Sequence, residues 1–184
     1  MILRFKDKYP KVEKAKFIAD SATIIGDVSC DEGANFWFNC VVRGDDESIT
    51  IGKNSIVEDF VMIHASIDNP TVIGDDVTLG HTAIIHGATL EDGVLIGMGA
   101  IVLDGAVIGK NSLVAAGATV TPGSVFPENS LIMGNPAKKV KDISEGQLKY
   151  MKHAVNLYQE SSEEYREIMR EYHEKDQRNE DIRQ

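Results

Sequence analysis

From about Ala22 to Val120 the chain keeps a six-residue beat in which a small inward residue is followed two positions later by a larger apolar one. The series opens with Ala22/Ile24, Val28/Cys30, Ala34/Phe36 and Cys40/Val42, and closes with Ser112/Val114 and Ala118/Val120, sixteen pairs in order. A period held this long is the signature of a solenoid, whose repeats stack and bury one continuous core. Two-residue alternation with many β-branched side chains predicts short strands. Glycine or a short polar residue follows many pairs, as in Ile51-Gly52-Lys53-Asn54 and Ile108-Gly109-Lys110-Asn111, where corners demand positive φ. Three such sides make a coil of 18 residues, with successive coils about 4.8 Å apart. Residues 1–17 are expected to cap the first coil, because an open solenoid edge is adhesive.

The beat breaks three times: by three extra residues between Val42 and Ile51, by four between Ile63 and Ile73, and by one fewer between Ile85 and Leu90. Breaks in a solenoid form loops that often carry function. These lie beside Arg43, His64 and His86.

Met133-Gly134-Asn135-Pro136-Ala137 ends the repeat with turn residues. Beyond Ser144 the apolar spacing becomes helical, through Leu148, Met151, Val155 and Tyr158, and again through Tyr165, Ile168, Met169 and Tyr172. Ser161 and Ser162 before Glu163 resemble a helix start, so one broken helix or two is expected, packed along the solenoid by its apolar stripe. Lys175 to Gln184 is expected to fray. The division is thus residues 1–140 as solenoid with its N-terminal cap, and 141–184 as helix.

The coil repeat gives the histidines a geometry. Pairs four, seven and ten share one side, and Arg43, His64 and His86 each directly follow the large residue of those pairs. They form one column at the strand spacing, and two histidines so placed can ligate one metal. Asp59 and His81 form a second column on a different side. His81 is separated from His86 by up to about 16 Å of extended chain, so the three histidines cannot converge within one subunit. They can between two. The same contact would set Arg43 against a neighbour's Asp59 as a charge-assisted pair. It joins two different faces, and a triangular prism closes that contact as a threefold ring. Three imidazoles with an open fourth position describe a catalytic zinc site, which generates hydroxide at neutral pH. Accidental placement of surface histidines, or a structural metal joining subunits, are the other readings. His153 and His173 are expected on the helix surface, and Phe60 and Met62 outward, to be covered by a neighbour. Asp45 would orient a group near the metal, pair with a cation, or be an ordinary turn residue. Glu58 would accept a proton or be an exposed rung residue.

Composition narrows the classes. The 184 residues are 42% apolar, enough for a core, and carry a net charge of −10, which argues against nucleic acid or a membrane surface as partner. No apolar run approaches the ~20 residues of a membrane span, and the first residues break into charge without a secretory core. Two cysteines make no disulfide framework; both fall on inward positions and are expected to be buried thiols. A cytoplasmic location is expected.

Asn39-Cys40-Val41-Val42-Arg43-Gly44-Asp45, Asp59 with His64 five later, and Gly80-His81-x4-His86-Gly87 resemble the gamma-class carbonic anhydrases, as do Gly97-Met98-Gly99-Ala100 and Gly134-Asn135-Pro136-Ala137-Lys138. The resemblance covers roughly residues 10–160. It implies a mainly β, left-handed parallel β-helix with a C-terminal helix, a homotrimer, and one Zn2+ per subunit interface, with Fe2+ or Co2+ as alternatives. It implies His64, His81 and His86 as ligands, an Arg43–Asp59 bridge across the interface, Asp45 in the surrounding network, and hydration of carbon dioxide to bicarbonate through metal-bound hydroxide. Glu58 or Asp46 would pass protons. The chain departs from the family's archetype in four places. Its loop Ala65–Pro70 is short and lacks the glutamate shuttle. Asp46 replaces a glutamate, Glu58 stands where glutamine is usual, and Ala154 stands near a tyrosine of some relatives. Losing a relay slows turnover without removing the metal. A metal-dependent acyl-CoA thioesterase, a hexapeptide acyltransferase and a non-catalytic metal carrier are the rival readings on this scaffold.

Overall fold

The computed structural model describes residues 1–183, with side chains through Asp176. Short strands wind as a left-handed parallel β-helix with three ladders, one per side. On the first side Ile24, Val42, Ile63, Ile85, Val102 and Val120 stand in direct register. Cys30, Ile51, Ile73, Leu90, Ile108 and Phe126 line the second. Phe36, Val57, Leu79, Ile96, Val114 and Ile132 line the third. These ladders are the expected columns. Inward positions such as Ile63, Ile85 and Leu90 are completely buried, because each large side chain lies between its counterparts above and below.

The first beat break is a detour within a long strand. Val41–Ile51 turns a corner and pairs with Thr23–Cys30 on two sides of the prism, the register slipping between Gly26 and Val28. The excess residues on the longer strand carry Asp45 and Asp46 out of the corner. Gly26 is required there: its φ is +79°, and a Cβ would lie 2.3 Å from the Gly44 carbonyl oxygen. The second break, 65–70, folds back on itself through a Ser66–Asn69 bridge. The N-terminal segment behaves as a cap. Ile2–Leu3 lies parallel to the strand that begins at Thr23, and Lys11 bridges to Ser29.

The C-terminal region adds a strand after the expected turn and corrects one expectation. Ser130–Gly134 and Ala137–Asp142 form an antiparallel hairpin, so a strand follows the turn at Asn135-Pro136. The tail is one unbroken helix, Glu145–Arg183. Ser162 does not start a second helix. It is buried, and its hydroxyl donates to the Gln159 carbonyl at 2.8 Å, three residues back within the helix. The true start is Ser144: its Oγ accepts Gln147 N–H at 3.3 Å while Gln147 Oε1 accepts Ser144 N–H at 2.9 Å, a reciprocal cap. The backbone stays helical beyond Lys175 to Arg183; Gln184, in the stretch expected to fray, lies outside the described residues. Met151 and Val155 bury the stripe against the third side, and Tyr165 closes an aromatic cluster with Phe17, Trp37 and Phe38. His153 and His173 are exposed, the latter paired with Asp20. No helix among the described residues is long and apolar enough to cross a membrane.

Cys30 and Cys40 are buried and form no disulfide. Burial pushes the Cys30 thiol up to about 11 and the Cys40 thiol up to about 12. At pH 8 the reactive thiolate is therefore at most about a thousandth of either population. Iodoacetamide at that pH should leave both unlabelled in the native protein and label both after unfolding, as mass spectrometry would show.

Candidate metal centre

Arg43, His64 and His86 occupy consecutive rungs in direct register, as the coil repeat requires. The two imidazoles lie with ring centres 4.9 Å apart. His64 Nδ1 faces His86 Nε2 at 3.0 Å. Each ring turns its other nitrogen to a carboxylate: His64 Nε2 lies 3.0 Å from Asp45 Oδ1, and His86 Nδ1 lies 2.8 Å from Asp104 Oδ1. A carboxylate oxygen only accepts, so both outward nitrogens must carry the N–H. If both rings are neutral, the inward nitrogens each point a lone pair at the other. Such a pair needs a positive charge between its members, either a proton or a cation. Tetrahedral zinc with Zn–N of about 2.0–2.1 Å holds its nitrogens about 3.3 Å apart, close to the spacing already present. The donor set therefore fits a metal, and the two carboxylates fix the tautomers that ligation needs.

Asp45 reaches His64 because the corner detour carries it there, and Arg43 anchors its other oxygen in an ion pair. Burial pushes the Asp45 carboxyl up, but hydrogen bonds from His64 and Arg43 outweigh it and hold the group below the usual range. The Ser66 hydroxyl, and after it His86, does the same for Asp104 against a smaller effect of burial. Asp46 is more remote, 3.9 Å from His64 Nε2.

His81 stands apart on the second column, above Asp59. Its Nδ1 lies 3.1 Å from Asp59 Oδ2, and its Nε2 lies 3.1 Å from Glu58 Oε2 and 3.3 Å from the Tyr158 hydroxyl. Glu58 is not an exposed rung residue. It is 6% exposed, accepts the His81 backbone N–H at 2.9 Å, and has its carboxyl pushed up by burial. Burial likewise pushes the Tyr158 phenol up. Within the chain Arg43 pairs with Asp45, while Asp59 accepts the Phe38 backbone N–H at 3.0 Å and faces His81. The structure thus brings His64, His86 and Asp45 together and leaves His81, Glu58 and Asp59 as a second group.

Sequence reasoning missed Asp104, Ser66 and Tyr158. Extending the first column one coil past His86 reaches Leu103, so Asp104 was one residue from discovery. Tyr158 left no such signal, since helical spacing does not say where along the solenoid the helix docks.

The profile of the bacterial transferase hexapeptide family (six repeats) matches residues 87–122. A carbonic anhydrase of Geobacillus kaustophilus is 43% identical over 171 residues, spanning 93% of this chain and 94% of that protein. The mitochondrial gamma carbonic anhydrase 2 of Arabidopsis thaliana is 38% identical over 158 residues, 83% of this chain, and the match spans only 57% of the plant protein. The crystal structure of a Bacillus cereus protein with a provisional acetyltransferase name superposes with a TM-score of 0.88 at 39% identity, covering 91% of this chain and 97% of that one. With 43% identity to a carbonic anhydrase over nearly the whole of both chains, a gamma carbonic anhydrase among the other relatives, and paired imidazoles on adjacent rungs of a hexapeptide helix, the chain belongs to the gamma carbonic anhydrase family.

Proposed function

We propose that this chain is the subunit of a homotrimeric, metal-dependent carbonic anhydrase, a lyase that hydrates carbon dioxide to bicarbonate at sites shared between subunits. One observation carries the reading: the inward nitrogens of His64 and His86 face each other at 3.0 Å while carboxylates take both outward N–H groups. His64 and His86 would hold the metal from one subunit and His81 from the next. Zn2+ suits three imidazoles best, with Fe2+ or Co2+ as alternatives. When bound, the cation supplies the Lewis acidity that makes water nucleophilic near neutral pH.

The chain's own groups do the rest. Asp45 and Asp104 each orient one stacked imidazole through its outward N–H, and Asp59, 3.1 Å from His81 Nδ1, would orient the third. Arg43 holds Asp45 in place and, across the interface, would face the neighbour's Asp59. Glu58, buried beside His81 and raised in proton affinity, is suited to receive a proton at Oε2, with Tyr158 within reach of the same group. The exposed apolar residues Phe60, next to Asp59, and Met98, one coil beyond His81, flank the second column, a surface of the kind that subunit contact covers. Cytoplasmic residence fits the two buried thiols that form no disulfide.

The rival is acyl transfer, favoured by the hexapeptide profile and by the name of the Bacillus cereus relative. Stopped-flow carbon dioxide hydration, measured on anaerobically purified protein loaded with Zn2+ or Fe2+, separates the two. The expected result is hydration that falls to the buffer rate on chelation and returns on reloading. Acetyl-coenzyme A turnover that ignores chelation, with no hydration at any loading, would overturn the proposal.

A further inference from the structure

Two parts of the chain converge on one oxygen of Asp104. Its Oδ1 accepts His86 Nδ1–H at 2.8 Å and the Ser66 hydroxyl at 2.7 Å. Ser66 belongs to the folded-back 65–70 loop, where the Asn69 amide lies 3.5 Å from Ser66 Oγ and donates to the Ile67 carbonyl at 3.2 Å. Gly87 seals the junction. A Cβ there would lie 2.2 Å from Asp104 Oδ1 and 2.8 Å from Asn69 Cβ, so loop, rung and carboxylate are already in close contact. Backbone bonds tie the same layer together, with Gly105 N–H donating to the Gly87 carbonyl at 2.7 Å and Gly87 N–H to Thr71 Oγ1 at 3.0 Å.

We infer that Asp104, latched by Ser66, is a positioning residue for metal binding at His86, and that the short 65–70 loop is thereby part of the binding machinery. The inference rests on the metal-centre proposal. A neutral imidazole has two tautomers, and only the Nδ1–H form leaves the Nε2 lone pair aimed at His64. A carboxylate at Nδ1 selects that form and strengthens Nε2 as a donor. A lone aspartate on an exposed corner could rotate away; the Ser66 hydroxyl on the same oxygen fixes its rotamer. His64 has the matching device on the coil below, where Asp45 holds the ring and Arg43 holds Asp45. Each stacked ligand thus has a carboxylate, and each carboxylate has an anchor.

The test is the affinity for Co2+ and Zn2+, read by competition with a chromophoric chelator and by the visible absorption of the Co2+ protein. Wild type, Asp104→Asn, Ser66→Ala, the double variant and His86→Ala are compared at one pH. Asp104→Asn should bind about 10–100-fold more weakly, with an altered Co2+ spectrum and an unchanged melting midpoint of the metal-free protein. Ser66→Ala should weaken binding by a smaller factor, about three- to tenfold, and add nothing in the Asp104→Asn background, since its effect passes through that carboxylate. If Asp104→Asn fails to fold, Ser66→Ala, which keeps the carboxylate, carries the test. Affinity equal to wild type in both single variants, while His86→Ala loses the metal, overturns the inference and spares the metal centre. A wild-type protein that binds neither ion overturns both.

Discussion

Mixing His81→Ala with His86→Ala, each expected to be inactive alone, and letting their subunits exchange is expected to restore about one quarter of wild-type carbon dioxide hydration if the proposed trimer forms. The figure follows from the separation of the two histidine groups. His86→Ala destroys the stacked pair but leaves His81 and its carboxylates intact; His81→Ala does the converse. In the proposed threefold ring each site would take its pair from one chain and its third imidazole from the next. With random exchange of equal amounts, half the chains offer the pair and half of their neighbours offer His81, so about one site in four is whole. Each variant alone should hydrate at the buffer rate and bind metal far more weakly than wild type. Recovery indistinguishable from zero after verified exchange, with wild-type chains active, would place all ligands of a site within one chain. Recovery is expected because His81 is held by Glu58 and Asp59 on a different side of the prism from His64 and His86.

Leu90→Ala is expected to cost about 2–5 kcal/mol, the range for truncating a fully buried leucine whose cavity cannot collapse. Leu90 is 0% exposed and stacks between Ile73 and Ile108 on the second side, so a cavity there has rigid rungs above and below. Against the roughly 5–15 kcal/mol of a typical fold this is a large fraction, and it should lower the melting midpoint by roughly 4–20 °C. Val72→Ala is the control. Val72 belongs to the strand Thr71–Ile73, one position before the Ile73 that supports Leu90, but it points outward and is 39% exposed, so its truncation should stay within about 0.5 kcal/mol. Equal losses at the two positions, measured by thermal melts of the metal-free protein, would contradict the inward–outward phase.

That phase is the part of the molecule the sequence disclosed most fully. A strand alternates with period two and an unbroken coil returns every eighteen residues, so one correctly phased pair, with the three breaks counted, places the others. Val42, Ile63 and Ile85 follow from it, and with them the column of Arg43, His64 and His86. What escaped depends on directions that a period does not encode. Asp104 lies at a corner, where side-chain direction is set by local turn geometry, and its partner Ser66 comes from a loop two coils earlier in the chain. Glu58 is buried because the helix brings Tyr158 to that side, and docking position is absent from helical spacing. The serine pair at 161–162 suggested a cap by residue type alone, yet a serine within a helix can bond back to a preceding carbonyl, as Ser162 does. The strand Ala137–Asp142 was hidden because its lysines, Lys138, Lys139 and Lys141, show no alternation between apolar and polar.

The corner detours also set where this lineage has freedom to change. A residue inserted inside a rung would turn the side chains that follow it from core to solvent until a corner or bulge restored the phase. The excursions at 45–48 and 65–70 leave and rejoin at corners, so a change of length there spares the rungs as long as Asp45 and Ser66 keep their partners. Segments grafted between Ile67 and Pro70 would arrive beside the two stacked imidazoles while leaving Ser66 in place, which makes this short stretch the natural ground for trying new chemistry on an old frame.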